Sequence, residues 1–165
     1  MCMCAPVDVV INDDKFGFIK PLVYRVDEYL QLLNDDNITK HFTQAKDIPN
    51  MSEDDFLDKA SSCNIIVLTH RDKCIITDFF GIIKVVPKAH GAVEILIAIK
   101  PEEQHKGYGL YCLNKVVGYL YADKDVSSIH AKCFTTDIVA GEFLKKCGFE
   151  MKSMAHGTFY FKHAE

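Results

Sequence analysis

A chain of 165 residues with 48% hydrophobic and 25% charged side chains has the size and balance of one soluble domain, 1–165, around one hydrophobic core. Its formal charge of −4 and sequence pI near 6.0 argue against a general nucleic-acid or anionic-membrane binder, which needs a basic patch, and lean towards amines or basic peptides as partners. The seven cysteines (Cys2, Cys4, Cys63, Cys74, Cys112, Cys133, Cys147) are odd in number and spread through apparent strands and helices, so reduced, mostly buried thiols are expected rather than disulfides or a metal site.

In chain order, residues 1–14 have neither the basic stretch nor the apolar run of a signal peptide or anchor, and no later segment has the length to span a membrane. A cytoplasmic protein is expected. Residues 15–23 read as an opening strand. Val26, Tyr29, Leu30 and Leu33 then fall at i, i+3, i+4 and i+7, one face of a helix. Residues 34–50 are polar and irregular, with no element assigned. A second helix is expected from Ser52, which caps it, with Asp55 three residues on and Phe56, Leu57 and Ala60 behind.

The middle reads as antiparallel sheet. Residues 64–69 are apolar, Arg71, Asp72 and Lys73 turn the chain, and 74–86 form a long β-branched and aromatic run broken once at Gly81. Residues 93–99 are apolar at almost every position, so both faces of that strand should be covered. After Gly107, a stripe of Leu110, Leu113, Val117 and Leu120 predicts a helix, and 127–133 a short strand. Ala140, Phe143, Leu144 and Cys147 mark the last helix, capped by Thr136 or Asp137, ended by left-handed Gly148, with Lys145 and Lys146 suiting its dipole. Strands at 149–151 and 158–161 close the chain. The order β-α-α-β-β-β-α-β-α-β-β implies an α/β (α+β) three-layer fold with a mixed, mostly antiparallel sheet.

Chemistry concentrates in the loop Gln104, His105, Lys106, Gly107, Tyr108 and Gly109, between a buried strand and a helix. The first-turn amides of a helix lack intrahelical partners and carry partial positive charge. Glycines let a phosphate approach such amides closely, and His105 and Lys106 add charge, so the loop suits a pyrophosphate. A Walker loop needs Gly-Lys-Ser/Thr, whereas Lys106 precedes Gly107. A dinucleotide fingerprint needs one more glycine and an early parallel unit.

The run Ile99, Lys100, Pro101, Glu102, Glu103, Gln104, His105, Lys106, Gly107, Tyr108, Gly109 resembles the acetyl-CoA motif V-x-P-x-x-[QR]-x-x-G-x-[GA] of the GNAT superfamily, with Ile for Val. Asp137, Ala140, Leu144, Gly148 and Phe149 stand at the spacing of the family's N-x-x-[AS]-x-x-x-[YL]-x-x-x-G-F motif, and Leu144 is similar to the ribosomal-protein N-terminal acetyltransferase branch. The resemblance implies a GNAT-like fold in which the strand ending at Ile99 splays from the strand around 129–133. It implies acetyl-CoA as cosubstrate, with pantetheine against the main chain of Ile97, Ala98 and Ile99, pyrophosphate on the amides of 104–109, and Asp137 beside the cofactor. An amine would attack the thioester directly, and catalysis would rest on proximity and proton transfer.

The family's usual acid–base residues are absent. Its tyrosine falls at Leu144, its asparagine at Asp137, and a glutamate of some peptide N-acetyltransferases at Lys132. Two substitutes are expected: Glu94, one residue from the strand glutamate of histone acetyltransferases, and His130 in the opposite strand. The ordinary alternatives are a salt-bridged glutamate and a solvent-facing histidine. The expected function is acetyl transfer to a primary amine of a small molecule, peptide or protein, without metal, membrane or nucleic acid; a homodimer is compatible with it. The competing expectation is a non-catalytic acyl-CoA-binding or regulatory module. Acceptor specificity would come from residues 34–50 and the turn Ala155, His156, Gly157.

Overall fold

A computed structural model describes residues 7–41, 52–62, 64–73 and 78–164. Its strands are β1 (Val9–Ile11), β2 (Phe16–Ile19), β3 (Asn64–His70), β4 (Phe79–Pro87), β5 (Ala92–Ile99), β6 (Ser128–Phe134), β7 (Phe149–Ala155) and β8 (Thr158–His163). Its α-helices are α1 (Val26–Leu33), α2 (Asp36–Thr39), α3 (Glu53–Ser62), α4 (Tyr108–Tyr121) and α5 (Ile138–Lys146). The strands form one sheet in the order β1-β2-β3-β4-β5-β6-β8-β7. Every neighbouring pair is antiparallel except β5 and β6, whose crossover contains α4.

Alternation along the strands sorts the core into two layers. Ile66 and Leu68 of β3 pack with Cys112, Leu113, Val116, Val117 and Leu120 of α4 and with Leu144 of α5. Ile65 and Val67 point the other way, to Val26, Tyr29 and Leu30 of α1, Ile38 of α2 and Phe56 of α3. A strand covered on both faces must be apolar at nearly every position, which explains the composition of β3 to β5.

Local signals were sound where they were capped or periodic. Ser52 Oγ accepts from the Asp55 amide at 3.1 Å and the Ser52 amide donates back to Asp55 Oδ2 at 3.4 Å, so α3 starts in a capping box. Asp137 caps α5 by accepting from the Ala140 amide at 3.1 Å, and Gly148 ends that region at φ +87°. Gly81 does not break β4: it pairs with Ile99, and a Cβ there would lie 2.7 Å from the Ala98 carbonyl oxygen. Two elements had no sequence signal, the edge strand β1 and the single turn α2. Residues 42–50 of the irregular stretch and 74–77 of the β4 run lie outside the described residues, as do Cys2, Cys4, Cys63 and Cys74.

The thiols of Cys112, Cys133 and Cys147 are free and buried. Burial pushes Cys112 and Cys147 up to about 12, so neither is a nucleophile at neutral pH.

Asp13 ties the start of β2 to α4. Its Oδ2 accepts from the amides of Phe16 (2.9 Å) and Lys15 (3.0 Å), while Oδ1 takes the Tyr111 hydroxyl at 2.9 Å and the Lys115 ammonium at 3.3 Å. Burial opposes its ionisation, but the hydrogen bonds outweigh burial and hold the carboxyl below its ordinary 3.8. A carboxyl depressed on folding stabilises above its unfolded pKa, and that contribution is lost as pH falls through the folded value. Asp13→Asn is therefore expected to lower stability at pH 7 by about 1–3 kcal/mol. In urea unfolding the difference should shrink progressively below about pH 4, where the wild type loses the same charge.

Candidate functional site

Strands β5 and β6 are joined by only three residue pairs, Ala92↔Ser128, Val93↔Ile129 and Glu94↔His130. Beyond Glu94 they part. β5 stays on β4 as far as Ile99↔Gly81, and β6 stays on β8 as far as Phe134↔Thr158. The β5 edge from Ile95 onward thus has no strand partner on that side, and a buried backbone edge demands hydrogen-bonding groups from elsewhere. The opening is a cleft of about 510 Å³, in the range of small-molecule sites. Its walls are residues 94–99 of β5, the loop before α4, Leu110 and Leu113 of α4, Ala131 and Lys132 of β6, and the cleft side of α5. Ile97 and Ile99 are only half-buried because they face this cleft.

The loop at the end of β5 is built to present amides. A 3-10 turn, Pro101–Glu103, follows the strand, and the Gln104 side-chain amide donates to the Ile99 carbonyl at 2.9 Å, tying loop to strand. His105 (φ +61°) and Gly107 (φ +82°) are both left-handed. Gly107 is the N-cap of α4 and brings no side chain to cover the first-turn amides; no atom lies within 4 Å of where its Cβ would be. His105, Gly107, Tyr108 and Gly109 line the cleft with Gln104. Lys106 turns aside to Glu103, at 3.3 Å.

Below the loop, the Tyr108 ring packs on Phe16, His70 and Phe80 with centroids 5.2, 5.4 and 5.3 Å apart. His70 Nε2 lies 3.3 Å from Glu103. Burial of Glu103 works against its charge, but the hydrogen bond from Lys106 and the nearby His70 ring prevail and hold its carboxyl below the ordinary value. The loop is thus anchored to β2, β3 and β4 through rings and an ionised carboxylate, and its residues Gln104, His105, Gly107, Tyr108 and Gly109 border the cleft.

The other wall carries the titratable groups. Glu94 is buried and lines the cleft, and Lys132 Nζ lies 3.1 Å from its Oε2 across the point where the strands part. β4 and β5 pair without a register shift, so no bulge rotates Glu94 towards α4; it shares a sheet face with Leu96 and Ala98. Lys132 stands where the resembled motif has a glutamate, and in the structure it is the partner of Glu94. His130 does not line the cleft; its Nε2 shares a 2.8 Å hydrogen bond with Ser128 Oγ. Leu144 does line it, at the position where a tyrosine was looked for. Asp137 uses both oxygens, Oδ1 on the Ala140 amide and Oδ2 on the ring of His41. His41, just after α2, was not singled out by any local pattern, because its partner is 96 residues away. Among the described residues there is no group of three or more His, Cys, Asp or Glu side chains able to hold a metal, and no helix long and apolar enough to cross a membrane.

A family model described as an acetyltransferase (GNAT) domain matches residues 19–150. A search of the curated proteins finds no match. Solved structures share the fold at low identity. An acetyltransferase of the GNAT family from Bacillus anthracis is 15% identical, with TM-score 0.74 over 92% of this chain and 96% of that one. Spermidine N-acetyltransferase from Vibrio cholerae, in complex with CoA and spermine, is 16% identical, with TM-score 0.73 over 91% and 94%. RimL, a ribosomal-protein alpha-N-acetyltransferase in complex with coenzyme A, is 9% identical, with TM-score 0.74 over 94% and 97%.

Proposed function

The chain belongs to the GNAT acetyltransferase family, and on that premise we propose that it binds acetyl-CoA in the β5–β6 cleft and transfers the acetyl group to a primary amine. The observation that carries the reading is the strand edge from Ile95 to Ile99, left without a partner by β6 and running straight into a loop of helix-start amides. An edge strand can pair with an amide-bearing chain such as pantetheine, and helix-start amides take phosphate. In this reading the main chain of Ile97, Ala98 and Ile99 pairs with the pantetheine amides. Gln104, His105, Lys106, Gly107, Tyr108 and Gly109 hold the pyrophosphate, and Asp137 borders the pantetheine from α5.

Bound acetyl-CoA supplies an electrophilic thioester carbonyl and a thiolate leaving group. Glu94 receives the incoming ammonium, exchanging its bond to Lys132 for one to the amine, and takes the proton that frees the nitrogen lone pair. His130, on the same sheet face and paired with Glu94 in register, carries that proton onward to solvent. Enzymes of similar fold in complex with CoA and spermine, or with coenzyme A and kanamycin, make polyamines and amino sugars sensible first acceptors, with peptide N-termini beside them. Buried reduced thiols suit the cytoplasm.

One observation favours a second reading, an acyl-CoA-binding module without catalysis: Leu144 lines the cleft where an acid is needed and has no proton to give. Two measurements separate the readings. CoA at about 100 times its Kd is expected to raise Tm by roughly 5–10 °C. Acetyl-CoA with spermidine, kanamycin, free lysine or a short peptide is expected to release thiol. Stabilisation without thiol release on any amine supports the binding module, and no stabilisation by CoA removes both readings.

A further inference from the structure

We propose that His41, oriented by Asp137, is a catalytic residue that carries the second proton of the reaction from the attacking nitrogen to the departing CoA sulfur. The inference rests on the transferase reading above. An ammonium acceptor must lose two protons to become an amide. One leaves before attack, to Glu94. The other leaves as the N–C bond forms and the C–S bond breaks, and the thiolate then needs a proton. Passing the nitrogen's proton through one imidazole to sulfur balances the step, with no other reactant consumed. Leu144 cannot do this.

The geometry suits His41 to the task. It lines the same cleft as the loop of helix-start amides, and its Nδ1 is hydrogen-bonded to Asp137 Oδ2. Asp137 is itself immobilised, since its Oδ1 caps α5 on the Ala140 amide and its side chain is 10% exposed. A carboxylate on Nδ1 fixes the ring and selects the tautomer with the proton on Nδ1, so that Nε2 keeps its lone pair for proton exchange. Asp137 is thus a positioning residue. The pair also joins the two layers, since His41 follows α2, whose Ile38 packs in one, and Asp137 starts α5, whose Leu144 packs in the other. The remaining ionisable residues lining this cleft are Glu94 from β5, Glu103 and His105 from the loop, Tyr108 from α4, Lys132 from β6 and Lys146 from α5. Glu94 Oε2 is already bonded to Lys132.

The test combines a substrate-free readout with kinetics. In nitrogen-detected NMR of the full chain without ligand, at a pH where the ring is neutral, His41 is expected as the Nδ1–H tautomer. An Nε2–H tautomer would overturn the proposal. His41→Asn keeps a donor for Asp137 but cannot ionise. With the amine that the wild type acetylates fastest among spermidine, kanamycin, lysine and a short peptide, it is expected to lower kcat by about 10²-fold or more. CoA affinity should stay within about twofold, by calorimetry. Added imidazole should partly restore His41→Gly. An active wild type with an unimpaired His41→Asn overturns this proposal alone. A wild type that binds CoA yet acetylates none of these amines overturns the transferase reading, and this proposal with it.

Discussion

Glu94→Gln is expected to lower kcat by about 10²–10⁴-fold while leaving the affinity for CoA within about twofold. The amide is nearly isosteric and can still accept from Lys132, so the point where β5 and β6 part should keep its structure. What it cannot do is take a proton from an ammonium. Lys132→Met makes the complementary cut. It leaves a carboxylate that is 5% exposed without its ammonium partner, and removing one member of a buried pair costs more than the pair contributes. That variant is expected to lose about 1–3 kcal/mol of stability in urea unfolding. Glu94→Gln, which removes the charge itself, should be close to neutral. The two thus separate as a kinetic lesion and a stability lesion at one ion pair. If Glu94→Gln retains full kcat and His130→Ala does not, the base is His130, and Glu94 serves only to hold Lys132.

How much of this was legible beforehand depends on whether the physics was local. The candidate cofactor loop could be read from 99–109 alone, because a strand, two glycines and a helix stripe are consecutive and the motif spacing is short. The caps of α3 and α5 were legible for the same reason. β1 was not: three residues beside Asn12, Asp13 and Asp14 carry no period, and it is a strand only because β2 offers an edge. α2 is one turn, too short for any periodic signal. The two polar pairs of the cleft were invisible because neither lies within one element. Glu94 and Lys132 meet only after β5 and β6 align in parallel, which places His130 opposite Glu94 and Lys132 two residues beyond the last pair. With that register in hand, a lysine in the place of an expected glutamate reads as a counter-ion. His41 and Asp137 meet only once the α1–α3 layer and α5 are folded onto opposite faces of the sheet, so an unpatterned histidine gave no clue.

The proposed cofactor loop contains two glycines whose reasons differ, and substituting each is expected to separate them. At Gly109 the backbone is helical, and an added Cβ would sit 3.4 Å from the Phe143 ring and 3.8 Å from Ile99 Cγ1, ordinary contact distances. Gly109→Val should therefore fold, since valine costs a helix no more than glycine does. Its two methyls, however, would enter the space between the end of β5 and α5 that the proposed cofactor would fill. CoA affinity is expected to fall by about 10- to 10²-fold, the equivalent of 1–3 kcal/mol of overpacking. At Gly107 the case reverses. No atom obstructs a Cβ there, but φ is +82°, and an L-residue held left-handed costs about 1–2 kcal/mol. Gly107→Ala should lower Tm in the ligand-free protein. Calorimetric affinity measured on both variants, together with Tm without ligand, gives the check. Loss of affinity at Gly109 without loss of stability means that the glycine keeps a space open for the ligand. Equal loss of stability at both positions would mean that the loop is a structural turn, and the cradle would lose its strongest support.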